Sequence, residues 1–413
     1  MQKKPLKSRI TLPVASLLVY IVFTFFPLMY SYFPVLGELK IILVAGVVML
    51  LSFLLKRNMY GNPGDYRNPI VFLWAYFLGL MVLGIFFSID RGETLSKITI
   101  NLKYFLVFIV MIRIIDSRQR LDLILFVFCT CGVLMSASTI LNYVAGVTVL
   151  NYRAIALDRG LFGDPNDLAL LNNTLLPFIF YFVLTGRKTI VSLAAATTVI
   201  VANVLTFSRG GFLGMSVVLT SLPFFFKEYR KRSWVLLSIL AVLIGIFAPT
   251  GYLDRMSTIT SWEVDQKTGE TGTRIDAWKI VWTASLEKPL MGVGAGNSVY
   301  ISGIENRDWH AIHNSFLQVL SELGIFACVL FILFFVIPIR KYSYFRKLLE
   351  KQGDSLGLML YKCTLISFLS YATSLFFLPQ AYNPLLYMLT GIWVIQNNRI
   401  AQLKTVGIRA NAL

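Results

Sequence analysis

The chain has only two histidines, His310 and His313, and both fall in Trp-His-Ala-Ile-His-Asn-Ser-Phe-Leu, just ahead of a long apolar run. An imidazole at the head of a helix can take a proton near pH 7, because its unperturbed pKa of about 6.5 needs little adjustment. A capping or interfacial histidine explains the same placement equally well. Arg209, in Ser-Arg-Gly-Gly, separates two apolar runs. Its guanidinium cannot shed its charge, and its fork suits a phosphate or diphosphate. The competing reading is a topology anchor that snorkels to the membrane boundary. Arg274 stands in Thr-Arg-Ile-Asp-Ala-Trp, and Arg153 and Arg159 precede the turn Gly163-Asp164-Pro165-Asn166-Asp167. Together these arginines can cradle a diphosphate, although Arg153 and Arg159 also read as solvated surface residues. In the turn, Asn166 or Asp167 reads as the N-cap of the helix that follows. Sugar positioning is a second use for them, and two carboxylates around a proline make a weak metal site.

Other features carry less. Gly292, Gly294 and Gly296 mark a loop, but no strand and no dinucleotide-binding unit surround them. Cys129, Cys131, Cys328 and Cys363 lie inside apolar runs. The C-x-C pair lacks the second pair a zinc site needs, so the four read as small buried hydrophobes.

The elements that must position these residues follow from composition. Over 413 residues, 56% are hydrophobic and 14% charged, against roughly 45–50% and about 25% in soluble domains. The net charge of +17 invites a nucleic-acid partner until its distribution is examined. A bilayer needs about 20 apolar residues per helix, and scanning for them predicts about twelve transmembrane helices, at 11–33, 39–55, 69–88, 98–115, 121–147, 168–186, 189–207, 211–226, 233–249, 314–338, 358–379 and 383–398. With both termini inside, inner segments hold 24 lysines and arginines and outer segments 12, while acidic residues divide 6 to 15. The basic excess is then a positive-inside signal. Of the lysines and arginines, only Lys103 and Lys362 are counted within spans. The expectation is an all-α polytopic membrane protein, one integral membrane domain over 1–413. A large outer loop at 250–313 joins spans nine and ten, and its segment 271–286 is an amphipathic helix, with Trp278 and Trp282 expected at the membrane surface. Lys3, Lys4, Lys7 and Arg9 precede a run too long for a cleavable leader, so the first span is expected to stay.

Ser-Arg-Gly-Gly at 208–211, Thr-Arg-Ile-Asp-Ala-Trp at 273–278 with Pro-Leu-Met-Gly-Val-Gly at 289–294, and His-Asn-Ser-Phe-Leu-Gln-Val-Leu-Ser-Glu-Leu-Gly at 313–324 come in that order around the long outer loop. In this the chain resembles the O-antigen ligase and O-antigen polymerase superfamily of bacterial envelope glycosyltransferases, and 163–167 is similar to a turn found there. The resemblance covers roughly 160–325. It implies a GT-C-like fold in the inner membrane and transfer of a glycan from undecaprenyl diphosphate to an acceptor sugar on the periplasmic face, without metal or other cofactor. Carried over by motif, Arg209 and Arg274 bind the diphosphate and His313 is the base. Arg159, Asn166, Asp167, His310 and Asn314 are candidates for substrate binding, and His310 has no counterpart in the motif.

A ligase, with lipid A core as acceptor, is the favoured branch. A repeat-unit polymerase acting on a lipid-linked glycan stands close behind, and protein glycosylation is disfavoured by the modest outer loop. From another class, a lipid-linked oligosaccharide transporter fits the span number, but neither paired repeats nor clustered midplane charges are evident. A scaffold protein would have no reason to gather His313, Arg209 and Arg274 on one face. Topology reporters fused after residues 160 and 270 should score as outer; a cytoplasmic score at either would overturn the sidedness.

Overall fold

Within a bilayer the backbone must satisfy its own hydrogen bonds, so apolar runs become helices and the residues between them become caps and turns. The computed structural model describes residues 10–56, 60, 66–156, 161–186, 189–257, 259, 271–303 and 312–410, without side chains for 31–32, 271–276, 302–303 and 402–410. The order begins with α1 (Leu12–Phe25), α2 (Leu28–Tyr32), α3 (Val35–Glu38), α4 (Ile41–Leu55), α5 (Pro69–Gly84), α6 (Arg91–Ile114) and α7 (Arg118–Val144). A short antiparallel pair, β1 (Thr148–Val149) and β2 (Arg153–Ala154), precedes α8 (Pro165–Leu184), α9 (Thr189–Leu205), α10 (Arg209–Phe225) and α11 (Arg230–Phe247). The chain continues through α12 (Tyr252–Ser257), α13 (Thr271–Glu287), α14 (Ser298–Gly303), α15 (Ser315–Lys351), α16 (Ser355–Leu375) and α17 (Pro384–Ala410).

Among the described residues six helices are long and apolar enough to cross a membrane: α5 with the turn that follows it, α6, α7, α8, α15 and α16. Four more apolar helices, α1, α4, α9 and α10, are shorter. The expected first span, 11–33, is divided, because Pro27 sits at the N-cap of α2 and ends α1 at Phe25. The span expected at 314–338 instead runs to Lys351, bent at Gly324, whose φ is 79°. The helix expected at 271–286 is present as α13. All four cysteines are buried free thiols, as expected.

The centre of the bundle is α8, the most enclosed of the six, with 72% of its best spanning window buried. Polar groups there satisfy one another. The Asn173 side-chain amide donates to the Gly211 carbonyl at 2.9 Å, and Asn203 donates to Asn173 Oδ1 at 2.9 Å. Ser367 and Ser370 on α16 donate to the carbonyls of Thr174 and Gly214. Such contacts need backbones close together, which small residues permit. A Cβ on Gly211 would lie 2.6 Å from that of Ala169 on α8.

The opposite end is tied by charge. Arg118 at the start of α7 reaches Asp354 at the start of α16 at 3.3 Å and donates to Tyr181 Oη near the end of α8 at 2.7 Å. Tyr181 in turn donates to Asp122, and Arg399 on α17 lies 3.5 Å from Asp354. Lys362, within α16, stands over the Phe226 ring at 5.0 Å.

Overpacking a filled helix interface costs about 1–3 kcal/mol, whereas glycine to alanine in an open helix position gains up to about 1 kcal/mol. Gly211→Ala is therefore expected to lower the thermal unfolding midpoint of the detergent-solubilised protein. Gly245→Ala, where a Cβ would meet nothing within 4 Å, should leave it equal or higher. Equal midpoints for both variants would contradict the close contact.

Candidate functional site: a convergence of helix starts

Pro165 occupies the first turn of α8, where its missing N–H costs nothing. The cap is therefore Asp164, whose Oδ1 accepts from the Asn166 amide at 2.7 Å. This corrects the expectation that Asn166 or Asp167 caps the helix, and it frees both for other partners. Asn166 Oδ1 accepts from the Ser208 hydroxyl at 2.7 Å and from the Arg153 guanidinium at 2.9 Å. Asp167 Oδ1 accepts from the Gln380 amide at 2.7 Å.

Each bond reaches another element. Ser208 is the N-cap of α10, its Oγ accepting from the Gly211 amide at 3.0 Å, so Arg209 is the first helical residue and is held buried. Gln380 lies in the α16–α17 turn, and its backbone amide donates to Ser315 Oγ at 2.9 Å at the start of α15. The Ser315 hydroxyl donates to the Leu378 carbonyl. Asn314 caps α15, its Oδ1 accepting from the amides of Phe316 and Leu317 at 3.0 Å. His313 stands immediately before this cap, half-buried, with a φ of 46°. Left-handed backbone is uncommon outside glycine and gathers at functional sites. The starts of α8, α10 and α15 thus meet at one end of the bundle.

The turn before Arg209 is held from behind. Arg153 Nε donates to the Thr206 carbonyl at 2.9 Å, and Arg255 Nε donates to the Phe207 carbonyl at 2.9 Å. The Arg255 guanidinium also lies 5.4 Å over the Tyr152 ring. Arg153 is buried, which corrects the expectation of a solvated surface residue. The helix α13 is docked against the site by one of its tryptophans. Trp278 Nε1 donates to the Ile312 carbonyl at 2.6 Å, adjoining His313, and Val281 packs with Val293, Ile301 and Ile312. Trp282 is exposed.

A second polar knot supports the same end. Glu322 on α15 is wholly buried, a placement a carboxylate tolerates only when its oxygens are satisfied. It accepts from the Ser298 hydroxyl, the Tyr382 hydroxyl at 2.6 Å and the Gly296 amide at 2.7 Å. Asn297 joins this loop to α6, donating to Thr94 Oγ1 at 2.7 Å and accepting from the Asp90 amide at 2.8 Å. Gly294, with a φ of 92°, passes so close that a Cβ would lie 2.5 Å from Ser88 Oγ. Asp90 caps α6, and the amides of Glu93 and Gly92 with the Tyr300 hydroxyl hold its carboxyl below the usual range.

Of the residues singled out in the sequence, the structure brings together Arg209, Asn166, Asp167, Asn314 and His313. Arg159 and His310 lie outside the described residues. For Arg274 only the backbone is described, in the first turn of α13. Sequence reasoning missed Gln380, Arg255, Asn297, Glu322 and the tie from Trp278. Gln380 sits in a turn read only as a span boundary, and Glu322 was visible as an acid inside an apolar run.

Fold and site together define a helical, multi-pass membrane protein with a polar centre at one end of its bundle. Residues 174–332 match the family model described as O-antigen ligase, which bears out the resemblance to the O-antigen ligase and polymerase superfamily. The match contains the motifs around Arg209, Arg274 and His313 and ends short of Asn166 and Asp167. An uncharacterized protein of Haemophilus influenzae is 22% identical over 179 residues. That alignment covers 39% of this chain and 45% of the relative, so it spans a little under half of that protein's length.

A buried or partly buried hydrogen bond is worth about 0.5–1.5 kcal/mol net, and a reacting group displaced by about 1 Å can lose about a hundredfold in rate. Trp278→Phe should keep the fold and lower kcat with little change in KM, read in a transfer assay. A normal kcat would detach Trp278 from the placement of His313.

Proposed function

We propose that the protein transfers a glycan from undecaprenyl diphosphate to an acceptor sugar on the periplasmic side of the inner membrane, with the twelve-span plan and both termini cytoplasmic. The observation that carries this reading is the meeting of three helix starts around Arg209 and His313. Each helix N-terminus favours an anion by about 0.3–1 kcal/mol when exposed and up to about 2 kcal/mol when partly buried. Three such ends beside a fixed guanidinium suit a departing diphosphate.

In the proposed reaction His313 accepts the proton of the acceptor hydroxyl as the oxygen attacks the anomeric carbon. The new glycosidic C–O bond forms while the bond to the diphosphate oxygen breaks. The leaving group departs with the electron pair, and in-line displacement inverts the anomeric centre. Arg209, with Arg274 from the first turn of α13, stabilises charge as it develops. Asn166 and Asp167, already engaged with Arg153, Ser208 and Gln380, shape the donor side. Arg159 and His310 stand nearby in sequence as further contacts for donor and acceptor, and Asn314 contributes as the cap that fixes His313.

Lipid A core is the proposed acceptor, which makes the protein an O-antigen ligase; a repeat-unit polymerase shares the donor chemistry and differs only in its acceptor. Envelope polysaccharide from a deletion strain, resolved on a gel, separates these. Bare lipid A core with accumulating lipid-linked polymer marks a ligase, and core bearing one repeat unit marks a polymerase. Complementation with His313→Ala should fail, with the protein still inserted. Arg209→Lys should also fail, because an ammonium does not reproduce bidentate contacts. Restoration by His313→Ala would remove the base from the mechanism.

A further inference from the structure

Lys362 stands about two turns into α16, half-buried, with its ammonium 5.0 Å over the Phe226 ring. A ring face answers one side of a group that carries three donors. Among the described residues no carboxylate or hydrogen-bond acceptor meets the other sides. Rings join three helices here. Phe225 at the end of α10 lies 5.5 Å from Tyr342 on α15, which stacks on Tyr361 of α16 at 6.3 Å. Cations line the rim of this cluster: Lys227 follows Phe226, Lys341 precedes Tyr342, and the Arg346 guanidinium lies 5.9 Å over the Tyr342 ring. Residues 226–232 and 340–351 hold nine lysines and arginines against two acids, Glu228 and Glu350, so the rim is strongly positive. Glu350 is already engaged with Arg346 at 3.8 Å, and Asp354 beyond it with Arg118 and Arg399. Trp234, near the start of α11, is 42% exposed and meets Phe224 edge-on, a placement that suits headgroup depth. The rim lies at the far end of the bundle from His313, because α10 and α15 start beside that residue and run away from it.

We infer that this rim binds the headgroup of an anionic phospholipid, with the lipid phosphate seated between Lys362 and the cations beside Phe226 and Tyr342. Sidedness alone asks only that positive charge lie beyond the membrane. Lys362 lies below the rim, within a helix, and its stem can carry the ammonium toward the boundary along apolar surface. A cation at that depth, flanked by rings, is met from within the bilayer, which selects a lipid over an acidic protein. Basic pockets between spanning helices hold anionic headgroups in this way. The inference does not depend on the proposed transfer reaction, which is placed at the other end of the bundle.

The test titrates phosphatidylglycerol into the full-length protein in a neutral detergent and reads the thermal unfolding midpoint, which a ligand of the folded state raises. Phosphatidylglycerol should raise it, less so at high salt, and phosphatidylcholine or inorganic phosphate should not. Lys362→Gln and Lys341→Gln should each need about fivefold more phosphatidylglycerol for the same rise, about 1 kcal/mol per cation. Lys97→Gln, near the start of α6 beside the glycine loop, should leave the titration unchanged. Gel filtration checks folding, and Lys341, which is exposed, carries the test if Lys362→Gln does not fold. No rise in the wild type, an equal rise with phosphatidylcholine or inorganic phosphate, or wild-type titrations in the folded variants would overturn the assignment. A rise with polyglutamate in place of lipid would also overturn it, in favour of an acidic protein partner.

Discussion

Two adjacent side chains, Asn166 and Asp167, hold the site together by facing different elements. Through Asn166 the start of α8 is joined to Arg153 and to the cap of α10, and through Asp167 to Gln380 and so to the start of α15. Both are free for this because Pro165 places the capping duty on Asp164. Three helix starts that would otherwise repel one another through their dipoles are thereby fixed at one end of the bundle. Converging helix starts favour a nearby anion, and the proposed chemistry supplies one.

The surroundings make that arrangement rigid. Arg153 and Arg255 hold the carbonyls of the turn before Arg209, so the guanidinium that begins α10 inherits a fixed backbone. Trp278 does the same for the residue before His313. Behind them Glu322 and Asn297 lock the glycine loop to α15 and α6. A preorganised site stabilises developing charge without reorganising at the moment of reaction, and the proposed reaction would draw on this rigidity.

The helical class, the helix α13 and the ordering of Arg209, Arg274 and His313 were legible in the sequence, because hydropathy and local motifs are short-range signals. The same signals misplace what depends on distant partners. Arg153 reads as a surface residue until the Thr206 carbonyl, 53 positions later, is brought to it. The partnership of Gln380 with Asp167 spans 213 positions and no periodicity announces it. Pro27 was visible, yet hydropathy alone carries the first span through the break it causes. The cap of α8 was misplaced by two or three residues because the preference of proline for the first helical turn was outweighed by the polar pair that follows it.

The central claim is that this end of the bundle breaks the bond between a glycan and a polyprenyl diphosphate. Purified protein reconstituted into liposomes, without ATP or an ion gradient, can be supplied with undecaprenyl diphosphate-linked glycan and lipid A core. Mass spectrometry should then find glycosylated lipid A core and released undecaprenyl diphosphate in equal amounts. Movement of intact donor across the bilayer with no cleavage would contradict the account and make the protein a transporter.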